Sequence, residues 1–363
     1  VSQNAFFVKG SSEFSLGMCA ARLDNKAMWN KAKKLFVSLG SLSLLTAFLG
    51  AGSLAAAEPG QTIPLADPTI FQDKGTYYLY GTGVLPGSGH DGFLVYTSKD
   101  LKNWEGPAGA TKGFALVKGD VFGTKGFWAP QIFRYQDRYW MAYTANECIA
   151  LATAESPLGP FKQKKLEKLP ADLLQIDPFI FFDDDGKIYF YHVRLDRGNR
   201  IYVAEMEPDL SGIKKETLRE CISTRMDSWE NVRNNDYGVA EGPTVIKRDG
   251  VYYLFYSAND YRYVEYAVGY ATASSPLGPW SRYEGNPILS RKNVGQNGTG
   301  HGDILTDPEG KLLYVFHTHK SENEVHPRKS AVINLVAEEK EGKTVFSVKD
   351  ESFRFLLEKE SSR

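Results

Sequence analysis

Cysteine is nearly absent from this chain: its 363 residues hold three, at Cys19, Cys148 and Cys221. Three cannot build a disulfide framework. An excess of one charge is absent as well. Lys and Arg number 43 against 44 Asp and Glu, a net charge of −1. A nucleic-acid binder needs a basic face and a membrane-surface protein a basic cluster, so neither class is expected. At 42% hydrophobic and 24% charged, the composition also excludes disorder, collagen and coiled coil, and suits a chain with a large core. What is plentiful is aromatic and turn-forming: 20 Tyr, 21 Phe and 6 Trp, beside 34 Gly and 17 Pro. Aromatics fit pleated, half-buried surfaces, and Gly and Pro fit tight turns, so many short strands are expected.

The first 57 residues read as something other than fold. Met28 opens a cationic stretch with Lys31, Lys33 and Lys34. An apolar run from Leu35 to about Leu54 follows, then Ala55-Ala56-Ala57 before Glu58-Pro59. Charged start, apolar middle and small-residue exit predict a secretory signal peptide over 28–57, cut after Ala57. A transmembrane anchor is the rival. The run carries Gly40, Gly50 and Gly52, and its strongly apolar part is short for a hydrocarbon core of ~30 Å. No Cys follows it, so no lipid anchor is expected. Residues 1–27 precede Met28 and read as vector-derived or upstream sequence. Residues 58–363 are then a single secreted or periplasmic domain with no membrane contact after cleavage. Cys148 and Cys221 remain in it, and the sequence leaves their pairing open.

That domain repeats itself five times. Each unit has a short apolar strand, a marked turn and an aromatic strand. The first strands are Asp67-Pro-Thr-Ile-Phe, Ala129-Pro-Gln-Ile-Phe, Asp177-Pro-Phe-Ile-Phe, Gly242-Pro-Thr-Val-Ile and His301-Gly-Asp-Ile-Leu. They start 62, 48, 65 and 59 residues apart, the size of a four-stranded blade with a variable loop. Asp73-Lys-Gly75, Asp184-Asp-Gly186, Arg248-Asp-Gly250 and Pro308-Glu-Gly310 supply hairpin turns. A third strand is echoed too: Ala152-Thr-Ala-Glu-Ser-Pro-Leu-Gly-Pro-Phe161 nearly recurs from Ala271 to Trp280. The predicted fold is all-β, a single-domain five-bladed β-propeller. A sandwich of hairpins does not explain a recurrence at blade spacing.

In a propeller the first strand of each blade lines the central channel. Asp67, Ala129, Asp177, Gly242 and His301 then meet at one end, with Trp128 and Glu241 one residue earlier in blades two and four. Carboxylates gathered in this way repel, and proteins keep such clusters for chemistry or for a cation. Asp-Pro is also a common turn opener, and Asp183, Asp184 and Asp185 are expected to be only a solvated hairpin tip. The coincidence of Asp67, Asp177 and Glu241 in the repeat frame is what distinguishes them.

The pattern resembles glycoside hydrolase family 43. The matching stretches are Ala66-Asp67-Pro68, Phe127-Trp128-Ala129-Pro130, Ile176-Asp177-Pro178, Ala240-Glu241-Gly242-Pro243 and Gly300-His301-Gly302-Asp303, one from each blade in order. The resemblance implies a general base at Asp67, a general acid at Glu241 and a carboxylate at Asp177 that tunes and orients. It puts His301 in the channel, where a structural calcium ion is allowed but no cofactor is required. It also places an arginine of the last blade in the substrate pocket, which suits Arg328. Trp128 either offers a flat face to a sugar or packs the channel mouth. His317 and His319 are expected as a surface or core pair, a weak zinc signal without a third partner. His192 is expected to be structural or at the pocket edge.

The activity so implied is inverting, exo-acting removal of arabinofuranosyl or xylosyl residues from plant cell-wall polysaccharides. Glu241 must then stay protonated near neutral pH, and Asp67 must stay ionised. The alternatives are a galactan- or galactofuranoside-active enzyme of the same family and a sugar-binding propeller without catalysis. Loops Val84–Asp91, Asp196–Arg200 and Arg225–Tyr237 are expected to shape the pocket.

Overall fold

A computed structural model describes residues 60–83 and 91–359. The expected signal peptide and the segment before it lie outside the described residues, as do residues 84–90 of the first pocket loop.

Strands alternate with tight turns to give five antiparallel blades and a two-stranded ribbon of Gly92–Leu94 and Phe114–Val117, with a short parallel pairing joining blades three and four. Blade one is built from Leu65–Asp73, Thr76–Gly83, Tyr96–Ser98 and Asn103–Glu105. Blade two has Trp128–Tyr135, Arg138–Ala145 and Cys148–Ala154, edged by a bridge from Thr153 to Lys162. Blade three has Gln175–Phe182, Ile188–Leu195, Gly198–Glu205 and Arg219–Ile222. Blade four has Gly238–Arg248, Val251–Ala258, Ala267–Ala273 and Ser281–Arg282. Blade five has Gly300–Thr306, Leu312–Thr318, Lys329–Lys340 and Lys343–Phe355. Each first strand packs on the first strand of the next blade, and that of blade five packs on that of blade one. The ring is therefore closed, as the repeat predicts.

Two features hold it closed. Between blades, aromatics interleave. Tyr253 and Phe346 meet edge-on at 4.9 Å between blades four and five, beside Phe255 and Tyr314. Such pairs add about 0.5–1.5 kcal/mol each beyond their burial. At the seam of blades five and one, hydrogen bonds cross as well. The N–H of Ile63 donates to Leu356 O at 3.0 Å, and that of Ser330 to Ile63 O at 3.1 Å. Leu357–Glu358 then pairs in parallel with Asn103–Glu105, covering an edge that would otherwise invite aggregation.

Every first strand carries a bulge at the same place. Register slips between Ala66 and Thr69, Trp128 and Gln131, Ile176 and Phe179, Glu241 and Thr244, and Gly300 and Asp303. The bulged residues Asp67, Ala129, Asp177, Gly242 and His301 have φ of 47°, 45°, 56°, 61° and 45°. Left-handed backbone costs a residue with a Cβ about 1 kcal/mol, so only Gly242 is at ease there. The bulge turns the backbone N–H out of its own ladder and re-aims the side chain, which is how the repeat brings distant residues together.

One expectation fails. Asp183 is not a solvated tip residue. It is only 8% exposed, takes a hydrogen bond from Tyr252 and pairs with Lys247 Nζ at 2.8 Å. Burial alone would raise its pKa, but Lys247 and Tyr252 from blade four hold it below the usual value. Asp184 and Asp185 are exposed, as expected.

Candidate active site

A cavity of about 1050 Å³ opens at the bulged end of the channel. Asp67, Trp128, Asp177, Glu241, His301 and Arg328 all line it. The repeat frame thus brings together residues up to 261 positions apart in the chain.

Asp67 is the most heavily fastened. Thr82 Oγ1 donates to its Oδ2 at 2.6 Å, and Arg328 donates to its Oδ1 at 3.0 Å. Its own N–H donates to His317 Nδ1 at 3.1 Å, and His301 Nδ1 lies 3.4 Å from Oδ1. Burial alone would raise the pKa of Asp67. The Arg328 guanidinium and the two imidazoles outweigh it and hold the carboxyl well below the usual range. The carboxyl cluster therefore does have a cation beside it, but at one member only.

Glu241 sits one residue before its bulge. Tyr266 donates to Oε1 and Asn199 Nδ2 to Oε2, both at 2.9 Å. Asn199 arrives there because Gly198–Glu205 runs in parallel beside Gly238–Arg248, pairing Asn199 with Val239. Burial drives the pKa of Glu241 up, the charges of Asp67 and Asp260 add to it, and the two hydrogen bonds oppose it; the outcome is about 7. Asp177 is also raised well above its usual value, by burial and then by Glu241 and Asp67. Its Oδ2 accepts the Gly242 N–H at 3.1 Å.

The remaining expectations resolve individually. Trp128 is 36% exposed in the cavity wall, with Gly126 close against its ring. Arg328 is no surface loop residue: it is 7% exposed and lies over the Tyr261 ring at 4.5 Å. His317 and His319 are both buried, without zinc geometry. His317 stacks on Tyr266 beside Asp67, and His319 Nε2 donates to Tyr261 O at 2.8 Å, fixing a cavity-wall loop. His192 is fully buried and stacks on Phe190, away from the cavity lining. Cys148 and Cys221 are both free thiols.

Calcium wants about six to eight oxygen ligands. His301 offers one ring nitrogen, and both oxygens of Asp67 and one of Asp177 are held by Thr82, Arg328 and Gly242. Among the described residues no three His, Cys, Asp or Glu form a metal-ligating group. A calcium ion beside His301 would take most of its ligands from water, and the acid–base chemistry of the carboxyls does not pass through it.

The loop from Arg225 to Tyr237 forms a wall of the cavity through Asn231, Asn235, Asp236 and Tyr237. It is anchored by Glu230, 1% exposed, which accepts from Tyr256 and Arg282 at 2.6 Å each. The repeat frame passes over Thr82, Asn199, Tyr266 and His317. They come from second strands, a hairpin and a loop, and only the lateral neighbour reveals their use.

A closed ring of five blades that gathers three carboxyl groups and a buried arginine in one cavity is a β-propeller with an acid–base site at its channel mouth. The chain belongs to Glycosyl hydrolases family 43, whose model matches residues 59–343. Its fold is similar to the crystal structure of an endo-1,4-beta-xylanase from Bacteroides thetaiotaomicron, with a TM-score of 0.72 and 40% identity, covering 79% of this chain and 95% of that one. It is 27% identical to xylosidase/arabinosidase 43B of Humicola insolens over 69% of this chain and 47% of that protein. It is 26% identical to beta-D-galactofuranosidase xynD of Aspergillus niger over 71% of this chain and 75% of that protein. The chain spans about half the length of the first two curated relatives it matches.

Proposed function

We propose that this protein is an inverting, exo-acting glycosidase that removes arabinofuranosyl or xylosyl residues from plant cell-wall polysaccharides. One observation carries the reading: within a single cavity, Asp67 is held ionised by Arg328 while Glu241 is held protonated up to about pH 7. Two carboxyl groups pushed apart in this way are an acid and a base ready for use.

The sugar lies against Trp128. Glu241 gives its proton to the glycosidic oxygen as the bond from the anomeric carbon to that oxygen breaks. Asp67 takes a proton from a water as the water oxygen bonds to the anomeric carbon from the opposite face. The configuration inverts in one step, without a covalent intermediate. This requires about 6.5–9.5 Å between the two carboxyls, room for one water. Solvent then returns a proton to Glu241 and removes one from Asp67. Asp177 orients Glu241 and raises its affinity for the proton. The names of the Humicola insolens relative and the Aspergillus niger relative support pentose and galactofuranose specificities respectively. The pentose reading is preferred, and a galactofuranoside substrate is the second. A sugar-binding role without catalysis leaves the split between Asp67 and Glu241 without a use.

The reading includes export, with the polymer met outside the cytoplasm. Among the described residues no helix is long and apolar enough to cross a membrane.

Glu241→Gln tests the acid. Turnover of an aryl arabinofuranoside or xyloside falls about 10²–10⁴-fold while binding of the free sugar persists. A variant as fast as the parent defeats the assignment. NMR of the first-formed anomer checks inversion, and a retained anomer refutes it.

A further inference from the structure

Four of the five bulges share one fastening. The second-strand residue paired across from the bulge accepts the N–H of the left-handed residue in the next blade. Thr82 does so for Ala129 at 2.9 Å, Thr144 for Asp177 at 3.0 Å, Ser257 for His301 at 2.7 Å and His317 for Asp67 at 3.1 Å. Their partners in the ladder are Ala66, Trp128, Glu241 and Gly300, so the four are equivalent. In blade three the equivalent residue, opposite Ile176, is Val193.

Val193 is fully buried in the core beside Ile176 and Ala240, and its side chain accepts nothing. The Gly242 N–H is left over, and a buried N–H without a partner is costly. Asp177 Oδ2 takes it. Asp67 has the same bulge position and similar φ but a different fate. Thr82 donates to its Oδ2 and holds that oxygen on its own blade, away from the seam with blade two. No hydroxyl restrains Asp177, so it reaches across the seam to the amide that adjoins Glu241.

We infer that Val193 is a positioning residue: by supplying no hydroxyl at the seam of blades three and four, it gives the Gly242 N–H to Asp177 and makes that carboxylate the partner of Glu241 rather than a second base. The inference rests on the proposed roles of Asp67 and Glu241. The charged and titratable groups that act on Asp177 are Glu241, Asp67, Arg328, Tyr266 and His301, whose Nδ1 lies 3.8 Å away. Val193 changes none of them; it changes only which acceptor Gly242 finds.

Val193→Thr tests this, because Val and Thr share a shape and differ by the hydroxyl. The new hydroxyl accepts from Gly242 and donates to Asp177, as Thr82 does for Ala129 and Asp67. The expected result is a roughly tenfold fall in kcat with KM within about twofold, since a displaced partner disturbs the transition state more than binding. With weaker like-charge coupling, the alkaline limb of the pH profile moves down by about 0.5–1 pH unit. Val193→Ser supplies the hydroxyl with less bulk and repeats the test if the threonine variant does not fold. Val193→Ala lacks an acceptor; it lowers Tm but leaves the alkaline limb in place. In the parent protein, the Gly242 amide resonance follows the titration of Asp177 and the Ala129 amide does not. Parent-like kcat and pH limb in both hydroxyl variants, an equal limb shift in Val193→Ala, or a Gly242 amide blind to pH each overturn the inference. Failure of the underlying reading is separate: it shows as turnover by Glu241→Gln, whatever residue 193 does.

Discussion

Where blade five meets blade one, Asp67 lies against a guanidinium, two imidazoles and a hydroxyl. Where blade three meets blade four, Glu241 and Asp177 accept hydrogen bonds from Tyr266, Asn199 and the Gly242 amide alone, with the His301 imidazole 3.8 Å from Asp177 and no guanidinium in contact with either. Both seams are equally buried, and burial alone drives every carboxyl up. The difference lies in whether a cation accompanies the acid group. The lesson is that one symmetric frame yields two opposite titration behaviours from a few changes beside the bulge.

The largest break in this comparison is Arg328→Met, which strips the cation from the seam of blades five and one. A buried carboxylate left without its partner costs about 3–5 kcal/mol, so Tm falls. Asp67, no longer held low, gains a proton at higher pH, and the acidic limb of kcat/KM shifts upward. Activity at neutral pH drops about 10²-fold or more. An unmoved acidic limb means that Arg328 does not set the state of Asp67.

A smaller effect follows from linkage, and its sign differs between the seams. Glu241 has a folded value of about 7 against an ordinary 4.5. Its contribution to stability is full below about pH 4.5 and is lost as the pH rises through about 7. Asp67 runs the other way: its contribution is present above its ordinary value of 3.8 and is lost as the pH falls through its depressed value. Urea unfolding at pH 6 and pH 8 should show the parent losing stability between them, with the loss reduced in Glu241→Gln. The same titration removes activity as the pH passes about 7.

Trp128→Ala sharpens the contrast by touching neither seam. With the platform gone, KM for a pentoside rises about 5–20-fold, kcat changes less than about threefold, and both pH limbs stay where they were. A moved limb would show that the indole also sets the field at the carboxyls.

The five-blade frame could be read from residues because its signals are local. Asp-Pro, Ala-Pro and Gly-Pro at the bulge and Asp-Gly at the hairpin sit within a few positions of the strands they govern. The triad Asp67, Asp177 and Glu241 followed from the same frame. Thr82, Asn199, Tyr266 and His317 could not be read this way, because what each does depends on the neighbouring blade. Asp183 fails for the same reason: three adjacent acids suggest a wet tip, and only the lateral approach of Lys247 and Tyr252 makes one of them a buried acceptor. Val193 was silent as well, since its meaning comes from four polar counterparts that align only once the ladder pairing is known.

The pairing of Leu357–Glu358 with Asn103–Glu105, and of Leu356 with Ile63 and Ser330, bears on how the molecule is made. The strand that caps the outer edge of blade one follows all five blades along the chain, and Arg328 and His317, which hold Asp67, belong to the last of them. Asp67 therefore gains its cation only when blade five docks on blade one. Closing the toroid and fastening this carboxylate are one event.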